Sequence, residues 1–278
     1  MTVSPPSLDN ISVTVDSQQP AIALIKFNRP KNANALSVPL VNDYLSALRW
    51  TEQESSIRII ITTGEGKFFT AGLDLLDPSV KATPGATVSD GFISGLSAVH
   101  EHLIKTDKLL ISAVNGPAPG WGTTHIALSD LVYATPQAFF FTPFVQWGLC
   151  AEGCSSLTFT KILGRQKASA LVLAGQRMSA EELERAGLVT KVLPQEGFLD
   201  GVFDLARQVA RLPAESLKFN KQVMMRTERE ELLKCNRVEM EALKEQARKK
   251  ESSDAIRGFA EETERKKREK KAAGGSRL

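Results

Sequence analysis

Two apolar runs of strand length, each followed by a glycine-rich turn, restrict the possible folds of this chain more than any other feature. They are IRIIIT (57–62) before GEGKFFTAGLD (64–74), and LLISAV (109–114) before NGPAPGWG (115–122). Mostly apolar runs of this length are typical of strands buried on both faces, as in parallel sheets covered by helices. A predicted helix follows each turn. The sequence therefore predicts an α/β fold.

The rest of the chain divides into a mixed part and a helical part. Further strand-like runs are ISVTV, AIALIKF, LVYAT, AFFFT and LVTKVL, and a short helix is predicted through THIALSD. Ser179 and Glu182 form a capping box at the start of the short helix AEELERA. Beyond about residue 200 the pattern is that of amphipathic helices with dense charge. We predict a core over residues 1–200 and a helical region over residues 201–278.

Composition excludes several classes of protein. With 42% hydrophobic residues, 24% charged residues and a net charge of +3, the 278-residue chain is typical of a soluble globular protein. No apolar run approaches the ~20 residues that span a bilayer, and the N-terminus lacks a signal-peptide pattern. Three cysteines, an odd number, do not form a disulfide framework, which favours a reducing compartment. We predict no association with membranes.

The end of the chain carries two further signals. The basic run ERKKREKK (264–271) closely follows the acidic AEETE and has no interleaved aromatic residues, so we predict a solvated helix end and no nucleic-acid binding. The last three residues, Ser276, Arg277 and Leu278, are similar to the peroxisomal address Ser-Lys-Leu. They predict binding to the peroxisomal import receptor and a location in the peroxisome.

The two glycine turns resemble those of a known family. GEGKFFTAGLDL and AVNGPAPGWGTTHIALSDLVYA are similar to the two signature loops of the crotonase (enoyl-CoA hydratase/isomerase) superfamily, and FNRP and SAEELERAGLVTKVL fit the same order. The resemblance covers about residues 11–271. It implies the crotonase fold, a spiral of ββα units with a C-terminal helical region that packs protomers into trimers, or into hexamers as dimers of trimers. It also implies acyl-CoA substrates, with coenzyme A as part of the substrate and no separate cofactor.

The resemblance assigns an oxyanion hole to these loops. Two backbone N–H groups would stabilise the enolate that forms when a proton is removed beside a thioester. The matching donors are the N–H groups of Leu73 and Trp121, and the predicted substrate-binding residues are Ala71, Gly72, Leu73, Asp74, Leu75, Gly120, Trp121 and Phe144. Hydratases have glycine in place of Trp121. We expect its indole to line the acyl pocket, with a core position as the alternative, and we expect Asp74 to cap the turn or the next helix.

Carboxylates distinguish the reactions within the family. At the two positions where hydratases have glutamates this chain has Thr124 and Phe144, and neither can act as a general base near neutral pH. Dienoyl-CoA isomerases look similar but use acids at the second of these positions and about eight residues beyond it. A single acid at the last position, here Glu152, resembles the Δ3,Δ2-enoyl-CoA isomerases of the peroxisomal kind.

Glu152 is therefore predicted to be the catalytic residue. It would move one proton from C2 to C4 and convert cis or trans 3-enoyl-CoA into trans-2-enoyl-CoA during fatty-acid β-oxidation. Apolar neighbours would raise its pKa, and the N-terminus of the following helix would lower it. The alternative role for Glu152 is that of a helix-terminal acid. Alternative functions are dienoyl-CoA isomerase, acyl-CoA hydrolase, or a non-catalytic scaffold that binds acyl-CoA or RNA.

Other polar residues receive more general assignments. Lys31 and Lys67 lie by loops that in this family run near the phosphates of CoA, where a cation would help binding. Cys150 and Cys154 are four residues apart and Cys235 is distant, which does not match a zinc site, and HEH (100–102) lacks the spacing of a helical metal site. His125 is expected to have a core or capping role. We predict no metal.

Overall fold

The two apolar runs form neighbouring parallel strands in a six-stranded sheet. The computed structural model describes residues 4–81 and 83–274, with the strands β1 (Ile11–Val15), β2 (Ile22–Phe27), β3 (Ile59–Gly64), β4 (Leu109–Val114), β5 (Leu131–Ala134), β6 (Phe139–Phe140), β7 (Met178–Ser179) and β8 (Lys191–Val192). The sheet order is β1-β2-β3-β4-β5-β8, in which β1 pairs with β2 antiparallel and the other neighbours are parallel. Strands β6 and β7 form a separate antiparallel pair. The predicted α/β fold is confirmed.

Helices cover both faces of the sheet, as the buried strands require. They are α1 (Val38–Gln53), α2 (Asp90–Lys105), α3 (Trp121–Ile126), α4 (Ser155–Val172), α5 (Ala180–Ala186), α6 (Phe198–Ala210), α7 (Ala214–Met225), α8 (Glu228–Ala247) and α9 (Lys250–Gly274). Side chains alternate along β2, so that Ile25 and Phe27 pack with α1 and α2 while Leu24 packs with α6. Within the described part of the chain, no helix is both long and apolar enough to cross a membrane. The predicted targeting residues Ser276, Arg277 and Leu278 lie outside the described residues.

Two of the predicted elements are shorter than the apolar pattern suggests, and a third is shifted. AFFFT contributes Phe139–Phe140 to a strand, and LVTKVL contributes Lys191–Val192. The first two residues of LVTKVL are buried for another reason, because the N–H groups of Leu188 and Val189 both bond to the carbonyl of Leu183 at the end of α5. Helix α3 begins at Trp121, earlier than predicted, because the second glycine turn leads directly into it.

Candidate active site

The two glycine turns leave the same edge of the sheet and touch each other. Both follow the carboxyl ends of neighbouring parallel strands, β3 and β4. Gly72 has φ +78°, and a Cβ placed on it would lie 2.9 Å from the carbonyl oxygen of Pro119 and 3.4 Å from the backbone nitrogen of Trp121. A side chain at position 72 would therefore separate the turns, which explains why a glycine stands there.

Asn34 holds the first glycine turn in shape, a role that no motif in the sequence indicates. Its Nδ2 donates to the carbonyl oxygens of Glu65 (3.0 Å) and Phe68 (2.8 Å). Its own carbonyl accepts from the Thr70 hydroxyl at 2.7 Å, and that hydroxyl accepts from the N–H of Gly72 at 3.1 Å. The turn that leads to Leu73 is thus fixed by hydrogen bonds on both sides.

The two backbone donors predicted for the oxyanion hole have no hydrogen-bond acceptor among the described residues. An isolated bridge to Leu36 uses the carbonyl of Gly72 and the N–H of Asp74, which leaves the N–H of Leu73 between them without an acceptor among the described residues. Trp121 is the first residue of α3, where an N–H has no intrahelical acceptor. No other acceptor for it is present in residues 4–81 and 83–274. The assignment of both N–H groups to an oxyanion remains a prediction.

The side chain of Trp121 lies in the core, so the expectation that it lines the acyl pocket is not what the structure shows. It is 1% exposed and stacks on His125 with ring centroids 4.6 Å apart, and it makes edge contacts with Phe27 and Tyr44. Its Nε1 donates to Nε2 of His100 at 2.9 Å. The indole therefore fixes the second glycine turn to the core. His125 has the core role expected for it.

Glu152 is buried in the turn that precedes α4. It is 2% exposed and is followed by two residues with left-handed backbone, Gly153 (φ +64°) and Cys154 (φ +61°). Its Oε1 accepts from the hydroxyl of Thr124 at 2.7 Å. Its Oε2 has no hydrogen-bond partner among the described residues and lies 3.6 Å from Nε2 of His100. One carboxylate oxygen is thus held in place, and the other is unpaired.

Glu152 does not cap α4, because another glutamate does. Oε2 of Glu239 accepts from the N–H of Cys154 at 2.6 Å, and its Oε1 accepts from the N–H of Ser156 at 2.9 Å. Glu239 reaches the first turn of α4 from α8, 83 residues further along the chain than Ser156. The role of helix-terminal acid, the alternative for Glu152, therefore belongs to Glu239.

Burial sets the protonation states of this cluster. It raises the pKa of Glu152 to about 8, against the lowering effect of the Thr124 hydrogen bond and together with the nearby charge of Glu239. Burial also lowers the pKa of His100 to about 4, although its bond to Asn236 opposes the shift. His100 is neutral at pH 7, and its Nε2 accepts the indole proton, so its contact with Glu152 is not an ion pair.

The remaining predicted site residues differ in their burial. Gly120, Leu75 and Phe144 are buried, Ala71, Leu73 and Asp74 are half-buried, and Lys31 and Lys67 are exposed. Asp74 was expected to be a cap. Instead, its Oδ2 lies 3.7 Å from Nη1 of Arg29, which also donates to the carbonyl of Ala35 at 2.6 Å. An ion pair thus joins the FNRP segment to the first glycine turn.

His100 and Asn236 also belong to the cluster, although neither is among the predicted site residues. His100 lies on the buried face of α2 with Leu96, Val99 and Leu103, and its Nδ1 is 3.0 Å from Oδ1 of Asn236 on α8. A histidine on the apolar stripe of a predicted helix was the available signal. Asn236 had none, because its contact with α2 depends on how the helices pack.

One group of residues in the described part of the chain has the composition of a metal site. The ligand atoms of Cys154, Cys235 and Glu239 lie within 4.8 Å of one another, so Cys235 is near Cys154 in space despite the distance in sequence. Both oxygens of Glu239, however, already accept backbone N–H groups at the start of α4. The geometry fits a helix cap with two adjacent thiols, and the prediction of no metal stays untested.

Solved structures with a similar fold show the fold class of this protein. The crystal structure of an enoyl-CoA hydratase/isomerase from Pseudoalteromonas atlantica has 29% identity and a TM-score of 0.82, and the match covers 91% of this chain and 98% of that one. A structure of OdaA from Pseudomonas aeruginosa has 28% identity and the same TM-score, over 90% of this chain and 98% of that one. The fold is the crotonase fold.

Curated relatives and the family model agree with this class. Human enoyl-CoA delta isomerase 2 is 34% identical over 88% of this chain, and mouse peroxisomal enoyl-CoA delta isomerase 3 is 31% identical over 87% of it. The match spans 62% of the human protein's length and 76% of the mouse protein's length. The family model for enoyl-CoA hydratase/isomerase matches residues 17–270. The chain belongs to the enoyl-CoA hydratase/isomerase family.

Proposed function

We propose that this protein is a Δ3,Δ2-enoyl-CoA isomerase in which Glu152 is the single base. One observation carries the proposal. Glu152 is a buried carboxylate with a raised pKa and an unpaired oxygen, and Thr124 and Phe144 stand where a hydratase would have acids. Glu239 is the other carboxylate nearby, and its two oxygens are engaged by α4.

The reaction that this set of groups can perform is the movement of one proton. Glu152 removes a proton from C2 of a 3-enoyl-CoA, and the electron pair moves into the thioester carbonyl to give a dienolate. The N–H groups of Leu73 and Trp121 stabilise that oxygen, and each such donor contributes about 2.7–4 kcal/mol in measured oxyanion holes. Protonated Glu152 then returns the proton at C4, and the double bond lies between C2 and C3. No water is consumed, so no second acid is required.

The base strength of Glu152 suits this role. A general base is most effective when its pKa is near the working pH, and burial places that of Glu152 at about 8. The neutral His100 beside it does not lower its pKa as an imidazolium would. Relatives named enoyl-CoA delta isomerase support the same choice of reaction.

Substrate, location and assembly extend this proposal. We propose acyl-CoA as the substrate, with Lys31 and Lys67 near its phosphates, because both lysines are exposed beside the first glycine turn. The C-terminal Ser276-Arg277-Leu278 supports peroxisomal import and a role in fatty-acid β-oxidation. A homotrimer, or a hexamer of two trimers, is the proposed assembly.

Product analysis tests the reaction type. The purified protein is incubated with cis and trans 3-enoyl-CoA, with 2-enoyl-CoA and with a conjugated dienoyl-CoA, and the products are separated by chromatography. We expect conversion of the 3-enoyl-CoA to trans-2-enoyl-CoA and no 3-hydroxyacyl-CoA from the 2-enoyl-CoA. Formation of the hydroxyacyl product at a comparable rate would contradict the one-base assignment, and release of free CoA would favour a hydrolase.

A further inference from the structure

Thr124 makes the one hydrogen bond that the Glu152 carboxylate receives from the described residues. Its side chain is fully buried, and its hydroxyl lies 2.7 Å from Oε1 of Glu152 and 3.1 Å from the carbonyl oxygen of Trp121. The close approach depends on Gly153, where a Cβ would stand 2.7 Å from the Thr124 hydroxyl oxygen. The backbone of the Glu152 turn is therefore shaped to bring the two side chains together.

The opposite oxygen of Glu152 faces a group that cannot donate to it. Nδ2 of Asn236 donates to the backbone carbonyl and the hydroxyl of Ser97, which turns Oδ1 of Asn236 towards Nδ1 of His100. Nδ1 therefore carries the imidazole hydrogen, and Nε2 accepts from the indole of Trp121. Nε2 therefore has no hydrogen to donate to Oε2 of Glu152, and its single lone pair is engaged by the indole.

We propose that Thr124 is a positioning residue that holds Oε1 of Glu152 and leaves Oε2 as the oxygen that accepts and returns the proton. This inference rests on the proposed function. In the carboxylate, Oε1 accepts the Thr124 hydrogen. After Oε2 has taken the proton from C2, Oε1 is the carbonyl oxygen of the neutral acid and still accepts the same hydrogen bond. The base can thus change charge without any change in its anchor.

The arrangement also connects the base to the oxyanion loop. Thr124 lies three residues after Trp121 in α3, so one helical turn carries both the predicted backbone donor and the anchor of the carboxylate. A movement of α3 would displace both groups together. The position that holds a carboxylate in a hydratase holds here a neutral donor that fixes the remaining acid.

The proposal predicts a pH effect whose sign is fixed by the surroundings of Glu152. The titratable groups that face it are His100 on α2, Glu239 on α8, and the thiols of Cys150 and Cys154 beside it in the chain. None of these donates to the carboxylate, whereas the Thr124 hydrogen bond favours its charged form. Loss of the hydroxyl should therefore raise the pKa of Glu152 by about 1–2 units, which is the size expected for a hydrogen bond to a charged group.

The experiment compares Thr124→Val, Thr124→Ser and the control Thr123→Val. Thr123 is also buried, but its hydroxyl donates to the carbonyls of Ala118 and Phe141 and not to Glu152. The first readout is the pH dependence of kcat/KM with 3-enoyl-CoA. We expect the rising limb of the Thr124→Val profile to move up by about 1–2 pH units. For each unit of that shift, kcat/KM at pH 7 should fall about tenfold. Thr124→Ser should restore the wild-type limb, and Thr123→Val should leave it in place.

The second readout separates this inference from the proposed function. Infrared difference spectra of protein with 13C-labelled glutamate, compared with those of Glu152→Gln, follow the titration of the Glu152 carboxyl without substrate. If Glu152 titrates at higher pH in Thr124→Val although wild type does not turn over, the anchor stands and the isomerase proposal fails. If Glu152 titrates at the same pH in both proteins, the inference is wrong whatever the activity. Should Thr124→Val not fold, Thr124→Ala serves with the same two readouts.

Discussion

At the scale of single residues, the site depends on a carboxylate placed where its charge is costly. The buried side chains of Thr124 and His100 lie against Glu152, and one hydroxyl alone among the described residues donates to the acid. An unpaired charge in such surroundings is destabilising unless the group takes up a proton. Burial also makes Glu152 a stronger base than a solvated glutamate. The ionised form thus lowers the stability of the folded protein but raises the reactivity of the site.

The pH dependence of turnover should report this pKa. Because Glu152 must be deprotonated to remove a proton from C2, we expect kcat/KM for 3-enoyl-CoA to rise with pH and to reach half its maximum near pH 8, where burial places the pKa. An ordinary glutamate would give a limb near pH 4–5. Initial rates from pH 5 to pH 9, with the fold checked by circular dichroism, measure the limb. A flat profile between pH 6 and pH 9 would contradict the raised pKa.

The stability of Glu152→Gln should exceed that of wild type, and by more at high pH. Folding raises the pKa of this carboxyl from 4.5 to about 8. Such a group contributes stability that is fully present below the pKa of the unfolded state and is lost as the pH rises through the pKa of the folded state. Glutamine does not ionise, so the variant avoids that loss, which amounts to about 1.4 kcal/mol per pKa unit and a few kcal/mol at most.

Urea unfolding at pH 5 and pH 8 measures the difference. Glu241→Gln is the control, because Glu241 is exposed and pairs with Lys244 on the surface of α8. We expect almost no change for this control at either pH. An equal effect of Glu152→Gln at both pH values would show that folding does not raise the pKa of Glu152.

At the scale of elements, the contact between the two glycine turns determines whether the backbone donors converge. Gly72→Ala adds a methyl group that meets Pro119 and Trp121, and it also puts strain on a residue with φ +78°. Gly85→Ala is a matched control, since Gly85 has φ +74° but no atom within 4 Å of the added Cβ. Both variants should be destabilised by about 1–2 kcal/mol from backbone strain alone.

Activity should distinguish the two alanine variants. We expect Gly72→Ala to lose at least about 100-fold in kcat, the loss typical of one missing oxyanion donor, while Gly85→Ala stays near wild type. Kinetics with 3-enoyl-CoA, together with thermal unfolding, measure both effects. If both variants lose activity equally, strain and not the meeting of the turns is responsible.

Strands whose burial follows from their own apolar residues can be predicted from the sequence. Contacts between residues far apart in the sequence cannot. IRIIIT and LLISAV are apolar on both faces, so β3 and β4 were evident. Glu239 could not be identified as the cap of α4, because it lies 83 residues beyond Ser156 and reads as one charge among many on α8. For the same reason the alternative role of Glu152 stayed open until the partner of the α4 N–H groups was known.

The contacts of individual glycines are a second feature that the sequence does not predict. The two turns could be recognised as glycine-rich, but nothing in the sequence says that Gly72 faces Trp121 or that Gly153 faces Thr124. Trp121 was assigned by its backbone, and that assignment is compatible with the structure. Its side chain was expected in a pocket and lies in the core, because a tryptophan beside a glycine turn gives no indication of the direction in which the indole points.

For the protein as a whole, the exposed apolar surface of α7 bears on the expected assembly. Phe219, Val223 and Met224 are 64%, 55% and 74% exposed and lie within one and a half turns of the helix. We expect the protein to be a trimer or hexamer that buries this surface. Sedimentation velocity should find the Phe219→Glu/Met224→Glu double variant in smaller species than wild type.

A control variant distinguishes the loss of the α7 contact from a general effect of added negative charge. Gln195→Glu adds a negative charge at an exposed position outside α7, and it should sediment like wild type. A wild-type protein that is monomeric at micromolar concentration would contradict the predicted assembly. A double variant that keeps the wild-type size would place the contact elsewhere on the molecule.

The turnover of Glu152→Gln tests most directly whether Glu152 moves the proton. Conversion of a 3-enoyl-CoA to the conjugated 2-enoyl-CoA is followed by ultraviolet absorbance for wild type and variant at pH 8, with binding of a CoA ester as the check on folding. Glutamine keeps the shape of the side chain and can still accept from Thr124, but it cannot take up a proton at this pH. We expect an active wild type and a variant that binds CoA esters but is slower by several orders of magnitude. A variant that keeps the wild-type rate would contradict this expectation, because another group would then be moving the proton.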